Sequence, residues 1–212
     1  MNPSTTRLLE PATPATTLGV VLAVWGAAVI AAAQSGLLGA LGRAFMPGYA
    51  LLVALGITLP ALAWFLSSPV RRAVDAIGLH RLTLMHVWRI PAALLFFWYG
   101  AKGELPTAFW LLAGVGDLMA GSYAATLLWR PARAALLRRI HVFGFTDFIV
   151  AVATGLTFTL LGDPRMALLT TLPMALIPLF GVGLSGASHI IALTLLSRPE
   201  AAPDPDGAAR AA

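Results

Sequence analysis

Charged side chains divide this chain into long apolar blocks. Pro11 to Gly42, Ala44 to Val70 and Met166 to Ser197 contain no Asp, Glu, Lys or Arg. A helix needs about 20 mainly apolar residues to cross the hydrocarbon of a bilayer, so each block can hold one span, and the intervening stretches hold the rest. Dividing the chain at its charges and turn residues predicts six transmembrane helices: Thr17 to Ala33, Phe45 to Leu66, Leu82 to Gly100, Leu105 to Trp129, Ile140 to Leu161 and Met166 to Leu196. Gly39 and Gly42, Ser67-Ser68-Pro69, Lys102-Gly103-Glu104, Arg130-Pro131 and Gly162-Asp163-Pro164 supply the breaks between them. The last segment is longer than a bilayer requires and contains Pro173 and Pro178, which predicts a tilt or kink with an interfacial first turn or two. The expected fold class is therefore all-α, a polytopic six-helix membrane bundle over residues 17–197. Residues 1–16 form a short N-terminal segment, and residues 198–212, rich in Pro, Ala and Asp, a disordered tail.

Orientation follows from the excess of Lys and Arg that marks cytoplasmic loops. One side collects Arg7, Arg71, Arg72, Arg81, Arg130, Arg133, Arg138, Arg139, Arg198 and Arg210; the other has Arg43, Lys102 and Arg165. This places both termini in the cytoplasm and the protein in a bacterial inner membrane. The first apolar run exceeds the core of a signal peptide, so it reads as an uncleaved first helix. The amphipathic stretches Arg71 to Leu79 and Ala132 to Ile140 read as topological anchors able to lie along the anionic inner leaflet.

Composition narrows the chemistry. Hydrophobic residues make up 58% of the chain and charged residues 11%, against about 25% charge in a soluble chain, so the bilayer is its solvent and principal partner. There is no cysteine, which excludes disulfides, thiolate catalysis and cysteine-ligated metal or iron–sulfur centres. The net charge of +5 is spread over short loops and makes no basic, aromatic-interleaved surface for nucleic acid. Nucleophile-elbow, phosphate-loop and dinucleotide motifs are missing, so no catalytic residue is assigned.

Ionisable side chains inside the spans carry the functional signal. A charge at membrane depth costs at least about 2.5–3.5 kcal/mol and turns toward the bundle interior, where it pairs or works. Arg89 falls in the third span, Asp117 in the fourth and Asp147 in the fifth, with His86 in the third and His189 in the sixth. At 1.5 Å per residue from the expected cytoplasmic ends, Arg89, Asp147 and His189 share a layer about 10 Å deep, and Asp117 lies about 18 Å deep. His86 sits one turn shallower on the Arg89 face. Gly114, Gly116, Ala120 and Gly121 form a groove of small residues beside Asp117 that admits another helix. Pro91 leaves the Val87 carbonyl without its helical partner beside Arg89. His80 and His141 fall at the cytoplasmic interface and receive no role.

These residues support a site for a small molecule, a proton or an ion, as in a sensor, binding protein or small transporter. Arg89 would hold an anionic group or keep Asp147 ionised, Asp117 would accept a proton or cation, and His189 would relay. The plain alternative is a structural protein whose buried ion pairs fix helix register. A b-type haem carrier would use His86 and His189 as axial ligands. A metal site could draw on His86, His189, Asp117 and Asp147, but no ligand spacing such as His-Glu-x-x-His supports one, and no metal is expected.

Gly114-Val115-Gly116-Asp117 also resembles the Gly-x-Gly-Asp motif of intramembrane aspartyl proteases, with Pro173-Met174-Ala175-Leu176 faintly similar to their Pro-Ala-Leu segment. Those enzymes need a second Asp in the membrane, and it precedes the motif, whereas Asp147 follows it and lies about 8 Å shallower by the same count. Leu105-Pro106-Thr107-Ala108-Phe109, Ala113 to Asp117 through Gly121 and Ala124, His141 to Gly155, and Leu176-Ile177-Pro178-Leu179-Phe180 to His189 together resemble a family of small bacterial multi-pass membrane proteins without assigned activity. The resemblance covers the third to sixth spans. It implies that Asp117, Asp147 and His189 are polar positions shared by that group, and it implies no reaction.

Overall fold

The computed structural model describes residues 14–44 and 46–198. The N-terminal segment 1–16 and the tail 198–212 therefore lie outside the described residues except at 14–16 and 198. The described chain is helical, without a strand. Six of its helical stretches are long and apolar enough to cross a membrane, the signature of a multi-pass membrane protein.

Helix α1 (Pro14–Gln34) is apolar around its whole circumference and mostly exposed. It stops at Gly36, whose φ of 75° an L side chain rarely adopts. A short amphipathic helix, α2 (Leu37–Ala44), turns the chain into α3 (Met46–Leu66). Ser67 then precedes α4 (Ser68–Leu84), with Pro69 in its first turn, where a missing N–H costs nothing. Gly78, at φ 77°, kinks α4. A 3-10 turn over Met85–Trp88 leads into α5 (Arg89–Ala101). Pro91 accounts for that turn: it has no N–H for the Val87 carbonyl, and the backbone tightens ahead of it.

The second half of the chain comprises α6 (Thr107–Ala125), a 3-10 turn at Thr126–Leu128 and α7 (Ala134–Leu160). A 3-10 segment over Pro164–Thr170 and a π-helical turn at Ile177–Gly181 then precede α8 (Val182–Ser197).

Three span boundaries differ from the expectation. The third apolar stretch begins at Ser68 instead of Leu82, the fifth at Ala134 instead of Ile140, and the sixth at Ile177 instead of Met166. The Arg71–Leu79 segment is the amphipathic first part of α4 and is set off from the apolar part by the Gly78 kink. Residues 134–140 are not a separate surface piece but the first turns of α7, because arginine is a good helix former and its long side chain reaches back to the helix end.

Arg71, Arg138 and Arg198 lie at one end of the bundle. Arg71 Nη1 donates to the Phe65 carbonyl at 2.7 Å, Arg138 donates to the Leu196 carbonyl, and Arg198 lies over the Trp64 ring at 5.5 Å. At the other end of α3, Tyr49 donates to the Leu169 carbonyl at 2.5 Å.

Helices α5, α6, α7, α8 and α3 pack in sequence around the interior, while α1 rests on α4 and α2. Helices in lipid gain little from hydrophobicity toward one another and pack through small residues. The glycine run of α6 shows this directly: a Cβ on Gly114 would meet Phe97 at 2.7 Å, and one on Gly121 would meet Ile90 at 2.8 Å. Apolar clusters fill both ends. Leu105, Phe109, Phe96, Met166 and Ile177 lie at one end; Trp64, Leu82 and Ile191, with Leu127, Leu137 and Ile140, lie at the other. The polar residues of α5, α6 and α8 occupy the belt between.

Candidate functional site

Arg89 is the hub of this belt, only 2% exposed. Its guanidinium donates from Nε to Asp117 Oδ1 at 2.6 Å, from Nη2 to Asp147 Oδ2 and from Nη1 to the Gly144 carbonyl at 3.2 Å. One residue of α5 thus holds α6 and α7 together. Asp117 and Asp147 meet at the same cation instead of lying at different depths. The start of α7 at Ala134 explains the correction, since it puts Asp147 about 20 Å along the helix, level with Asp117. Gly116 makes the approach possible: any Cβ there would overlap the Asp147 carboxylate.

Asp117 and Arg89 stand at the wall of a cavity of about 220 Å³. Its lining is otherwise largely apolar, with Phe96, Phe109, Phe148 and Ile177 inside and Trp88 and Ser185 beside the charged pair. Ala54 of α3 and Leu156 of α7, both exposed on the outer surface, stand at its rim, so it opens sideways between those helices. Trp88 Nε1 donates to Ser185 Oγ at 3.0 Å, and its ring occupies space that only a glycine at 181 leaves open.

The expected histidines do not line this cavity. His86 and His189 lie behind the Arg89 clamp, with their rings stacked at 4.1 Å. Gly144 joins the two halves: its carbonyl takes the Arg89 bond, and a Cβ there would meet His189 Cε1 at 2.6 Å. His141, expected at the interface, is fully buried in the same cluster. Its Nδ1 lies 2.9 Å from His189 Nδ1, and its Nε2 lies 2.8 Å from Thr83 Oγ1. The displaced start of α7 again explains the difference, because it carries residue 141 two turns into the helix. His80 is exposed.

Hydroxyl geometry fixes the ring protons of the cluster. Thr83 Oγ1 gives its proton to the Leu79 carbonyl at 2.7 Å and therefore accepts from His141 Nε2. Ser188 Oγ gives its proton to the Ser185 carbonyl at 2.8 Å and accepts from His86 Nε2 at 2.9 Å. His141 Nδ1 is then bare and accepts from His189 Nδ1. Two buried nitrogens, His86 Nδ1 and His189 Nε2, are left with no hydrogen-bond partner.

Sequence reasoning missed His141, Thr83, Ser188 and Trp88. A signal for His141 was present: it shares one helix face with Gly144 and Phe148 at spacings of three and seven.

No curated protein and no solved structure matches the chain. A family model does match residues 46–197, from the start of α3 to the end of α8, and so covers Arg89, both aspartates and all three buried histidines. The chain belongs to the family described as Domain of unknown function (DUF8737).

Proposed function

We propose that this protein binds a small amphipathic molecule with a positively charged head, seated against Asp117 with its apolar body in the cavity between α3 and α7. The charge count carries the reading. Two carboxylates face a single guanidinium in a water-poor interior, so the clamp is one positive charge short, and such an excess charge is costly there. Asp117 Oδ2 accepts no hydrogen bond from the described residues and is the free position for a donor. A cavity of about 220 Å³ is smaller than the roughly 300–1,000 Å³ of a drug-sized site, which favours a small ligand. The aromatic walls suit an alkyl or aryl body, and the sideways mouth suits entry from lipid.

Without the ligand, a proton on the carboxylate pair makes up the missing charge, so ligand binding releases it. The protein then acts as a proton-linked sensor, binding protein or small transporter in a bacterial inner membrane, with both termini cytoplasmic on the strength of its basic end. Two other readings fit the geometry less well. Axial haem ligands point at one iron from opposite sides of a macrocycle, whereas His86 and His189 stack face to face. A protease pair shares a proton between its carboxyls, whereas Asp117 and Asp147 hold a guanidinium between them.

The test is calorimetric titration of short alkylammonium ions into the protein in lipid nanodiscs, in two buffers of different ionisation enthalpy. Expected are one saturable site per chain, release of close to one proton, and at least a tenfold loss of affinity in Asp117→Asn. Equal binding of alkylammonium and alkylsulfonate ions of the same length would sink the reading.

A further inference from the structure

The three buried histidines form a cluster apart from the cavity, whose lining includes none of them. His86, His141 and His189 come from three different elements, the 3-10 turn before α5, α7 and α8, and none is more than 1% exposed. One nitrogen from each lies within 4.8 Å of the others. We propose that these imidazoles bind a late first-row transition-metal ion, zinc or copper.

Four features point to a metal instead of packing alone. A structural imidazole in an interior satisfies both ring nitrogens, yet His86 Nδ1 and His189 Nε2 are buried without a partner. The lone pair on His86 Nδ1 is bare, the form a metal requires. His141 Nδ1 is occupied only by the His189 N–H 2.9 Å away, and moving that proton to the partnerless His189 Nε2 bares Nδ1 of both rings, so that Nδ1 of all three imidazoles is free for a metal. The outer nitrogens of two of the rings are already committed: His141 Nε2 and His86 Nε2 donate to Thr83 and Ser188 hydroxyls whose own protons are spent on carbonyls. That is the outer-shell support that fixes ring orientation in metal sites.

Donor type selects the class. Three neutral nitrogens without a sulfur or a carboxylate suit zinc or copper, and disfavour calcium and magnesium, which take oxygen ligands. Arg89 is the nearest cation, and its charge is already met by the carboxylates it holds, so it does not bar a positive ion from the histidines. The apolar groove bounded by α1, α3, α4 and α8 reaches Ser188, and gives the site a side from which it can be filled.

The full-length protein in detergent, stripped with a chelator and then incubated separately with Zn²⁺, Co²⁺ and Cu⁺ (the last under reductant), provides the test. Bound metal is measured by mass spectrometry after gel filtration. Expected is one equivalent per chain, with competition between Zn²⁺ and Cu⁺ identifying the preferred ion. The Co²⁺ form should show the intense visible bands of a low-coordinate nitrogen site. His141→Gln should lose at least tenfold in affinity and should no longer gain thermal stability from the metal, while Asp117→Asn should keep both. Should His141→Gln fail to fold, X-ray absorption of the metal-loaded wild type decides, through an imidazole pattern of three nitrogens. Failure to retain any of the three ions in stoichiometric amount, retention undiminished in a folded His141→Gln, or a shell of oxygen ligands overturns the proposal. Because the alkylammonium site uses Asp117 and not the histidines, either proposal can fail without the other.

Discussion

Gly116 of α6 and Asp147 of α7 face each other so closely that a single methyl group on the glycine would occupy the position of the carboxylate. The Arg89 clamp closes only because residue 116 has no side chain. Gly116→Ala should therefore push Asp147 off Arg89 and cost about 3–5 kcal/mol, the scale of breaking a buried ion pair. Gly19, whose Cβ would meet nothing within 4 Å, is the control. Gly19→Ala should be neutral or stabilising by up to about 1 kcal/mol. Unfolding midpoints in detergent, read for both variants, test the contrast.

Removing the cation should hurt more than removing either anion. Arg89→Met leaves two carboxylates facing each other without a counter-charge, a loss of about 3–5 kcal/mol. Asp117→Asn leaves a balanced Arg89–Asp147 pair and should cost about 1–2 kcal/mol, close to one charge-assisted hydrogen bond. The triple change Arg89→Met, Asp117→Asn and Asp147→Asn should recover most of what Arg89→Met loses. A triple variant no more stable than Arg89→Met alone would show that shape, not charge, dominates the clamp.

The absence of cysteine makes orientation directly measurable. With a membrane-impermeant maleimide on intact cells, Lys102→Cys should label at once and Arg130→Cys only after permeabilisation. The reverse pattern would invert the topology and with it the side from which the polar belt is nearest to the cytoplasm.

Asp163, which follows α7, accepts from the Arg165 amide at 3.0 Å and from its guanidinium at 2.9 and 2.6 Å. That side-chain hydrogen bonding holds its carboxyl below the usual carboxylate range. A depressed native pKa means the contribution is present above the unfolded value and is lost as pH falls through the native one. Acidification below about pH 4 should thus lower the protection of the Arg165 amide, taken as its exchange relative to the intrinsic rate at each pH, and Asp163→Asn should show that low protection already at neutral pH. A wild-type protection factor that does not change across the acid range would remove the capping role.

The helices and the polar hub were legible in the sequence because apolar blocks and lone charges are strong, local signals. Arg89, Asp117 and Asp147 do converge, and the glycines around Asp117 do admit their neighbours. Helix ends were not legible, because Arg138 and Arg139 read as loop residues while the backbone of α7 runs helically through them. Six residues of error at that end moved Asp147 by almost two turns, and relegated His141 to the interface. The histidine cluster was hidden for a second reason: it depends on which way α8 faces, and a π-helical turn sets that.

The turn at Ile177–Gly181 acts as a rotational offset. Each residue of an α-helix advances the azimuth by about 100°, so the wider winding just before Val182 sets the angle at which every later side chain leaves α8. Ser185 meets Trp88, Ser188 meets His86 and His189 meets His141 only at that angle. Deleting one residue from the turn would keep α8 helical and apolar, yet would swing all three polar groups toward lipid together. In this respect the phase of α8 is set by a segment that carries no polar side chain of its own.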